Sequence, residues 1–230
     1  MGSSVVFFDF GGTLAQFPPT LREPWRVWAE VGRAIGLEIP EDRIREADAE
    51  AERRFHGQIY AFHGRTEEYW RLRDTWIIDR LGVQDRREVL FDAVQAAFND
   101  PSLVQLYPET REVLDDLRGR GFPIGVISNF TDRLTEILAH HGLLGMFETI
   151  TYSQEVGVEK PDRRVFARAL QRAHRSPADA VHVGDSWTED YLGARDAGLR
   201  AIWLNRLEAD PPAPCEMVRD LREILPLLTR

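Results

Sequence analysis

Val5-Val6-Phe7-Phe8-Asp9-Phe10-Gly11-Gly12-Thr13-Leu14 is the stretch on which the fold of this 230-residue chain turns. An unbroken apolar run, Val5 to Phe8, leads into one carboxylate, and two glycines and a threonine follow closely. A strand buried on both faces requires such a run, and ligands of open α/β sheets bind beyond the carboxyl ends of their strands. Gly11 and Gly12 permit a sharp turn and close approach of main chain to a ligand. Taken alone, the segment describes equally well a glycine-rich turn closing an ordinary strand. The rest of the chain decides between the two.

From Pro108 onward strand and helix patterns alternate. A helix is predicted over 108–118, followed by the apolar strand Pro123-Ile124-Gly125-Val126-Ile127, which ends at Ser128-Asn129. A helix over 132–141 precedes a short strand near 147–151. The next helix opens after Lys160-Pro161, with proline in the first turn, where its missing N–H costs nothing. Ala180-Val181-His182-Val183 reads as a strand ending at Gly184-Asp185-Ser186. A helix over 188–197 leads to a strand over 201–204, and a closing helix is predicted over 217–228. Such alternation predicts an α/β fold, a Rossmann-like parallel sheet with helices on both faces.

Residues 17–105 interrupt that pattern with helical periodicity and no convincing strand. Trp25, Trp28, Val31 and Ile35 share one helical face, as do Ile44, Ala47, Ala51 and Phe55. Two more helices are predicted over 66–81 and 86–98. The chain is therefore expected to comprise a core, 1–16 with 106–230, and an inserted helical segment, 17–105.

Composition excludes several classes. Hydrophobic residues at 43% and charged residues at 29% are those of a soluble globular protein. A net charge of -9 argues against nucleic acid as a partner, since phosphate-backbone binding needs a basic surface. No apolar stretch approaches membrane-spanning length, so no membrane partner is expected. Met1-Gly2-Ser3-Ser4 has no charged n-region, and the apolar run after it is short for a signal peptide. The one cysteine, Cys215, cannot form an internal disulfide, and a reducing, cytoplasmic setting is expected. The cations are lopsided: of the 29 basic residues only Lys160 is a lysine. Either an arginine-biased composition left one lysine by chance, or position 160 needs a compact ammonium where a planar guanidinium does not fit.

Three of the predicted strand ends carry a reactive or ligand-binding group: Asp9, then Ser128, then Asp185, with Lys160 opening an intervening helix. Parallel neighbouring strands would bring these groups into one crevice. Asp9 and Asp185 would offer hard oxygens to Mg²⁺, which takes one or two carboxylates with waters and substrate phosphate. Ser128 and Thr13 would donate hydrogen bonds to phosphoryl oxygens. Lys160 would neutralise charge between Asp9 and the phosphate. Asp9, held against metal and lysine, would stay ionised and nucleophilic. Each element alone is a weak signal. Four in order at successive strand ends are a strong one.

These residues resemble the four motifs of the haloacid dehalogenase superfamily, in order along essentially the whole chain. They are Asp9-Phe10-Gly11-Gly12-Thr13, Ile127-Ser128-Asn129, Lys160-Pro161-Asp162, and Gly184-Asp185-Ser186 with Asp190. The segment 17–105 is similar to the C1-type helical cap of that family. Val126-Ile127-Ser128-Asn129-Phe130, with Arg133-Leu134 and Ile137-Leu138, resembles the subgroup of rhythmically expressed gene 2-like hydrolases. The resemblance implies an aspartyl-phosphate at Asp9. It implies phosphate binding by Gly12, Thr13, Ser128, Asn129 and Lys160, with Lys160 also stabilising the nucleophile. It implies Mg²⁺ held by Asp9, Asp185 and the Gly11 backbone carbonyl, with Asp190 supporting the metal or Lys160.

One position departs from the pattern. Phosphatases of this family carry a second aspartate two residues after the nucleophile, which protonates the leaving group and then activates water. Gly11 stands there, keeping the carbonyl and losing the carboxylate. General acid–base catalysis contributes about 10²–10⁴-fold, so metal binding can survive while turnover falls. His56 and His63 of the cap segment, with Tyr60 and Glu67 beside them, are candidates to replace the missing acid/base; each also reads as ordinary cap surface. A substrate with a good leaving group would need none. Alternatively the protein binds phosphorylated ligands with little hydrolysis. The phosphonatase branch needs a cap lysine, and no lysine precedes Lys160. The dehalogenase branch works without metal, against which Gly184-Asp185 argues. The expected activity is Mg²⁺-dependent hydrolysis of a small phosphorylated substrate.

Overall fold

The apolar run Val5–Phe8 forms strand β1, and every one of its side chains is buried. The computed structural model describes residues 4–18 and 23–228; Met1, Gly2 and Ser3 of the N-terminal reading lie outside the described residues. The later strands are β2 (Ala15–Gln16), β3 (Gln105–Leu106), β4 (Ile124–Ser128), β5 (Thr149–Tyr152), β6 (Ala180–Gly184), β7 (Arg200–Leu204) and β8 (Met217–Val218). Six of them make one parallel sheet in the order β5-β4-β1-β6-β7-β8, and β2 pairs antiparallel with β3. The order runs outward in both directions from β1, so β1 and its two neighbours form the topological switch point where α/β sheets bind ligands.

The chain forms two compact units. One is built from the chain up to Gln16 and from Val104 onward; the other is Phe17–Leu103. In the first, Val5 and Phe7 pack with Val165, Phe166 and Ala169 of the helix Arg163–Ala173, while Val6 and Phe8 are equally buried. Burying one such side chain contributes about 1.5–3 kcal/mol, which is why an unbroken apolar run settles at the sheet centre. Gly125 of β4 makes room for Phe7: a Cβ there would lie 2.8 Å from the Phe7 ring.

Among its described residues the second unit has the helices Trp25–Ala34, Glu41–Phe55, Thr66–Leu81 and Arg87–Asn99. Their apolar faces meet around Trp28, Ile44, Ala51, Ile77, Ile78 and Leu90. Arg73 is buried there between Asp48 at 2.7 Å and Asp74 at 3.1 Å. No described helix is long and apolar enough to cross a membrane.

Three elements differ from the sequence expectation. Met217–Val218 is a strand on the sheet edge, and helical structure begins only at Leu221. The segment after Asp185 opens as a π-helical turn, Trp187–Leu192, before the helical turn Gly193–Asp196. Pro161 precedes rather than enters the first turn of its helix, whose N-cap is Asp162, its side chain accepting from the Arg164 amide.

Candidate active site

The carboxyl ends of β4, β1 and β6 deliver Ser128, Asp9 and Asp185 to one region. Asp9 is buried, and its Oδ1 accepts hydrogen bonds from Ser128 Oγ at 3.1 Å and Lys160 Nζ at 2.7 Å. Lys160 Nζ also donates to Asp190 Oδ1 at 2.5 Å and to the Ile127 carbonyl at 3.1 Å. An ammonium has three donors and no acceptor, so Lys160 spends its full capacity on three oxygens converging at one nitrogen. Its loop is held by Asn129, whose Nδ2 donates to the Lys160 carbonyl at 3.1 Å and whose Oδ1 accepts from the Lys160 amide at 2.7 Å.

Asp190 completes the buried network. Its Oδ1 also takes His182 Nε2 at 2.9 Å, and its Oδ2 accepts from the Ser186 amide at 3.0 Å. Gly184 leaves the space it occupies: a Cβ there would fall 2.5 Å from the Asp190 carboxylate–chain junction at Cβ. Asp185 reaches solvent, accepts from Thr13 Oγ1 at 3.3 Å, and has its backbone carbonyl held by Trp203 Nε1 at 2.8 Å. Asp9, Asp185 and Asp190 each offer an oxygen, all within 4.8 Å of one another. Such oxygen donors suit a hard divalent cation. Asp190 already accepts from Lys160, His182 and the Ser186 amide, which leaves Asp9 and Asp185 the carboxylates with more acceptor capacity to spare for one.

The electrostatics fit that division. Burial raises the Asp9 carboxyl above its ordinary value, with Lys160 opposing and Asp190 reinforcing. Against the cost of burial, Lys160 and then His182 hold Asp190 well below the usual carboxylate range. Lys160, although buried, is held above its ordinary value by Asp190 and Asp9. Asp185 is crowded by protein on one side, and desolvation followed by repulsion from Asp9 and Asp190 raises it to about 7. Three carboxylates face one ammonium, and two of them resist ionisation. A bound cation would relieve both.

The structure thus brings together Asp9, Ser128, Lys160, Asp185, Asp190 and Thr13, with Gly11 and Gly12 forming the turn between Asp9 and Thr13. The Asn129 side chain is spent on the Lys160 backbone and on Glu189 Oε2 at 3.1 Å, not directed at Asp9. His56 and His63 lie in the other unit; His56 is exposed and sits 3.7 Å from Glu52. Tyr60 and Glu67 belong to that unit as well. His182 escaped the sequence reading because it reads as one more residue of a buried strand; a polar side chain within an apolar run was the available signal. Glu189 escaped it because a single charged residue inside a motif carries no pattern.

A family model described as haloacid dehalogenase-like hydrolase matches residues 4–198. The chain is similar to haloacid dehalogenase-like hydrolase domain-containing protein 3 of Homo sapiens, at 34% identity over 225 residues covering 94% of this chain and 86% of that protein. It is 33% identical over 245 residues to phosphoserine phosphatase of Thermus thermophilus, covering 96% and 97% of the two. Among solved structures, a 2-haloacid dehalogenase from Pseudomonas syringae matches with a TM-score of 0.73 and 25% identity over 99% and 98% of the chains.

Proposed function

Because the chain belongs to the haloacid dehalogenase-like hydrolase family, we propose that it hydrolyses a small phosphate ester or anhydride through a phosphorylated Asp9. The observation that carries this reading is Asp9 itself. One carboxylate is fixed by Ser128 and Lys160 at the sheet's switch point, beside a second carboxylate free to share a cation. The phosphatase names of several relatives support the substrate class.

Asp9 and Asp185, with the Gly11 carbonyl, would hold Mg²⁺; when bound, the ion neutralises phosphate charge and keeps Asp9 ionised. Asp9 would attack phosphorus through its second oxygen while Lys160 and Ser128 hold the first. The bond from phosphorus to the leaving oxygen breaks as the acyl phosphate forms. Water then attacks phosphorus, releasing inorganic phosphate and restoring the carboxylate. Ser128 Oγ and the Lys160 ammonium would shift part of their donation to the phosphoryl oxygens, and Asp190 would keep Lys160 in place. Gly11 supplies no proton to the leaving group, so substrates with good leaving groups should turn over best.

A panel of small phosphate esters with Mg²⁺ tests this. The native protein should hydrolyse at least one, Asp9→Asn should abolish it, and Gly11→Asp should raise turnover of poor leaving groups by about 10²–10⁴-fold. Gly11 also motivates a second reading, a phospholigand-binding protein with impaired catalysis. Activity appearing only in Gly11→Asp would favour it. Metal-free turnover of chloroacids would overturn both.

Mg²⁺ binding should depend on pH, because a carboxyl raised to about 7 at Asp185 must ionise to serve as a ligand. Affinity is expected to rise as pH climbs through about 7, with uptake near pH 6 releasing a proton. Calorimetry in two buffers of different ionisation enthalpy measures both. Affinity that stays flat between about pH 6 and 8 would remove Asp185 from the ligand set. The same shift sets a sign for stability: a folded-state carboxyl above its unfolded value makes the metal-free protein lose stability as pH rises from about 4 to about 7.

A further inference from the structure

Arg206, just beyond β7, touches the turn that follows Asp9. Its Nε donates to the Gly12 carbonyl at 3.1 Å and its Nη2 to the Thr13 carbonyl at 2.8 Å. Its guanidinium lies 3.6 Å from the centroid of the Tyr107 ring, and Nη2 is 2.7 Å from Glu109 Oε1. Glu109 is buried, and this contact is an ion pair in distance without the alignment of a hydrogen bond. The next carbonyl, Leu14, accepts from the Tyr107 amide at 3.1 Å and from Thr110 Oγ1 at 2.7 Å. Three consecutive carbonyls are therefore latched from outside the turn.

That arrangement answers a physical need. Two adjacent glycines lose more conformational freedom on folding than any other pair and bring no side chain to pack. Gly12 must also keep a φ of 85° beneath the Asp185 carboxylate. The Arg206 loop is itself held: Asn205 Nδ2 donates to the Ala209 carbonyl at 2.7 Å and Oδ1 accepts from the Ala209 amide at 3.0 Å. From the same strand, Trp203 holds the Asp185 carbonyl.

We propose that Arg206 is a positioning residue for the cation side of the site. Its planar fork fixes the Gly12 and Thr13 carbonyls, and with them the Gly11 carbonyl and the space under Asp185. Glu109 and the Tyr107 face keep the fork in orientation. The proposal rests on the reading that a divalent cation binds between Asp9, Asp185 and Gly11. An arginine is required because one guanidinium offers parallel donors to two carbonyls while pairing with a carboxylate; an ammonium on a flexible stem cannot hold that plane.

Arg206→Lys is the informative variant, since it keeps a cation beside Glu109 and avoids stranding a buried carboxylate. Two quantities are measured on the full chain: Mg²⁺ affinity by calorimetry, and amide hydrogen exchange across Gly11–Leu14. Groups that orient metal ligands typically contribute about 10–100-fold in metal affinity, so Arg206→Lys should weaken Mg²⁺ by about tenfold or more and speed exchange in the turn. Arg172→Lys is the control, an arginine that likewise bonds a carbonyl, that of Ile150, and a carboxylate, that of Glu155. It should leave both quantities at native values. Unchanged exchange in Arg206→Lys, or equal losses in the two variants, would overturn the proposal. Failure of the native protein to bind Mg²⁺ would instead sink the cation reading, and faster exchange in Arg206→Lys would still establish the latch.

Discussion

Lys160→Met is expected to destabilise the protein by about 3–5 kcal/mol at neutral pH, the usual cost of removing one partner of a buried ion pair, and to abolish turnover. Methionine matches the length of the stem and fits a side chain that is 1% exposed, so packing changes little. What is lost is the one cation between Asp9 and Asp190, together with the donor to the Ile127 carbonyl. Two carboxylates would then face each other in a dry site. Against a typical total stability of about 5–15 kcal/mol, that loss moves a urea midpoint far enough to read easily. The deficit should also shrink as pH falls. Asp190 lies below its ordinary value because of Lys160, so its contribution is present at neutral pH and lost on acidification; protonated in the variant, the same group no longer repels Asp9. Lys160→Arg should recover little, because three acceptors converge on a single nitrogen and a guanidinium spreads its donors over a plane. A Lys160→Arg protein with native stability and activity would return the lone lysine to chance.

Position 160 also shows how far a single chain can be read. The sheet centre was legible because Val5–Phe8 is apolar throughout, and only burial on both faces sustains such a run. The meeting of Asp9, Ser128, Lys160 and Asp185 was legible as an expectation, because chemistry-bearing residues recur at the ends of several strands and alternation implies a parallel sheet; that β1 lies between β4 and β6 is set by the sheet order, which alternation alone does not give. Edges were harder. Met217–Val218 offers two residues to a period-two pattern, too few to outweigh the helical spacing that continues to Leu228. The pairing of Ala15–Gln16 with Gln105–Leu106 joins short segments far apart in sequence, and nothing local announces it. Supporting groups were least legible of all. His182 and Arg206 act through geometry that exists only once the sheet has formed, and in a chain so rich in arginine one more carries no signal.

Gly12→Ala is expected to leave the protein folded while removing most of its Mg²⁺ affinity, by about 100-fold. Two costs arise and they are separable. Gly12 has a φ of 85°, where a side chain costs about 1–2 kcal/mol. The added Cβ would also lie 2.5 Å from Asp185 Cγ and 2.8 Å from its Oδ1, closer than atoms tolerate. The turn cannot retreat. The Gly12 amide donates to the Ala15 carbonyl at 2.7 Å, and Arg206 holds the Gly12 carbonyl on the other side. Asp185 must therefore swing away, taking with it an oxygen that the cation needs. Gly57→Ala and Gly64→Ala isolate the backbone cost, since both have positive φ, 69° and 74°, and a Cβ on either meets nothing within 4 Å. They should lose similar stability and keep native Mg²⁺ binding. If Gly12→Ala binds Mg²⁺ as tightly as these controls, Asp185 does not hold the metal, and the cation must rest on Asp9 by another arrangement.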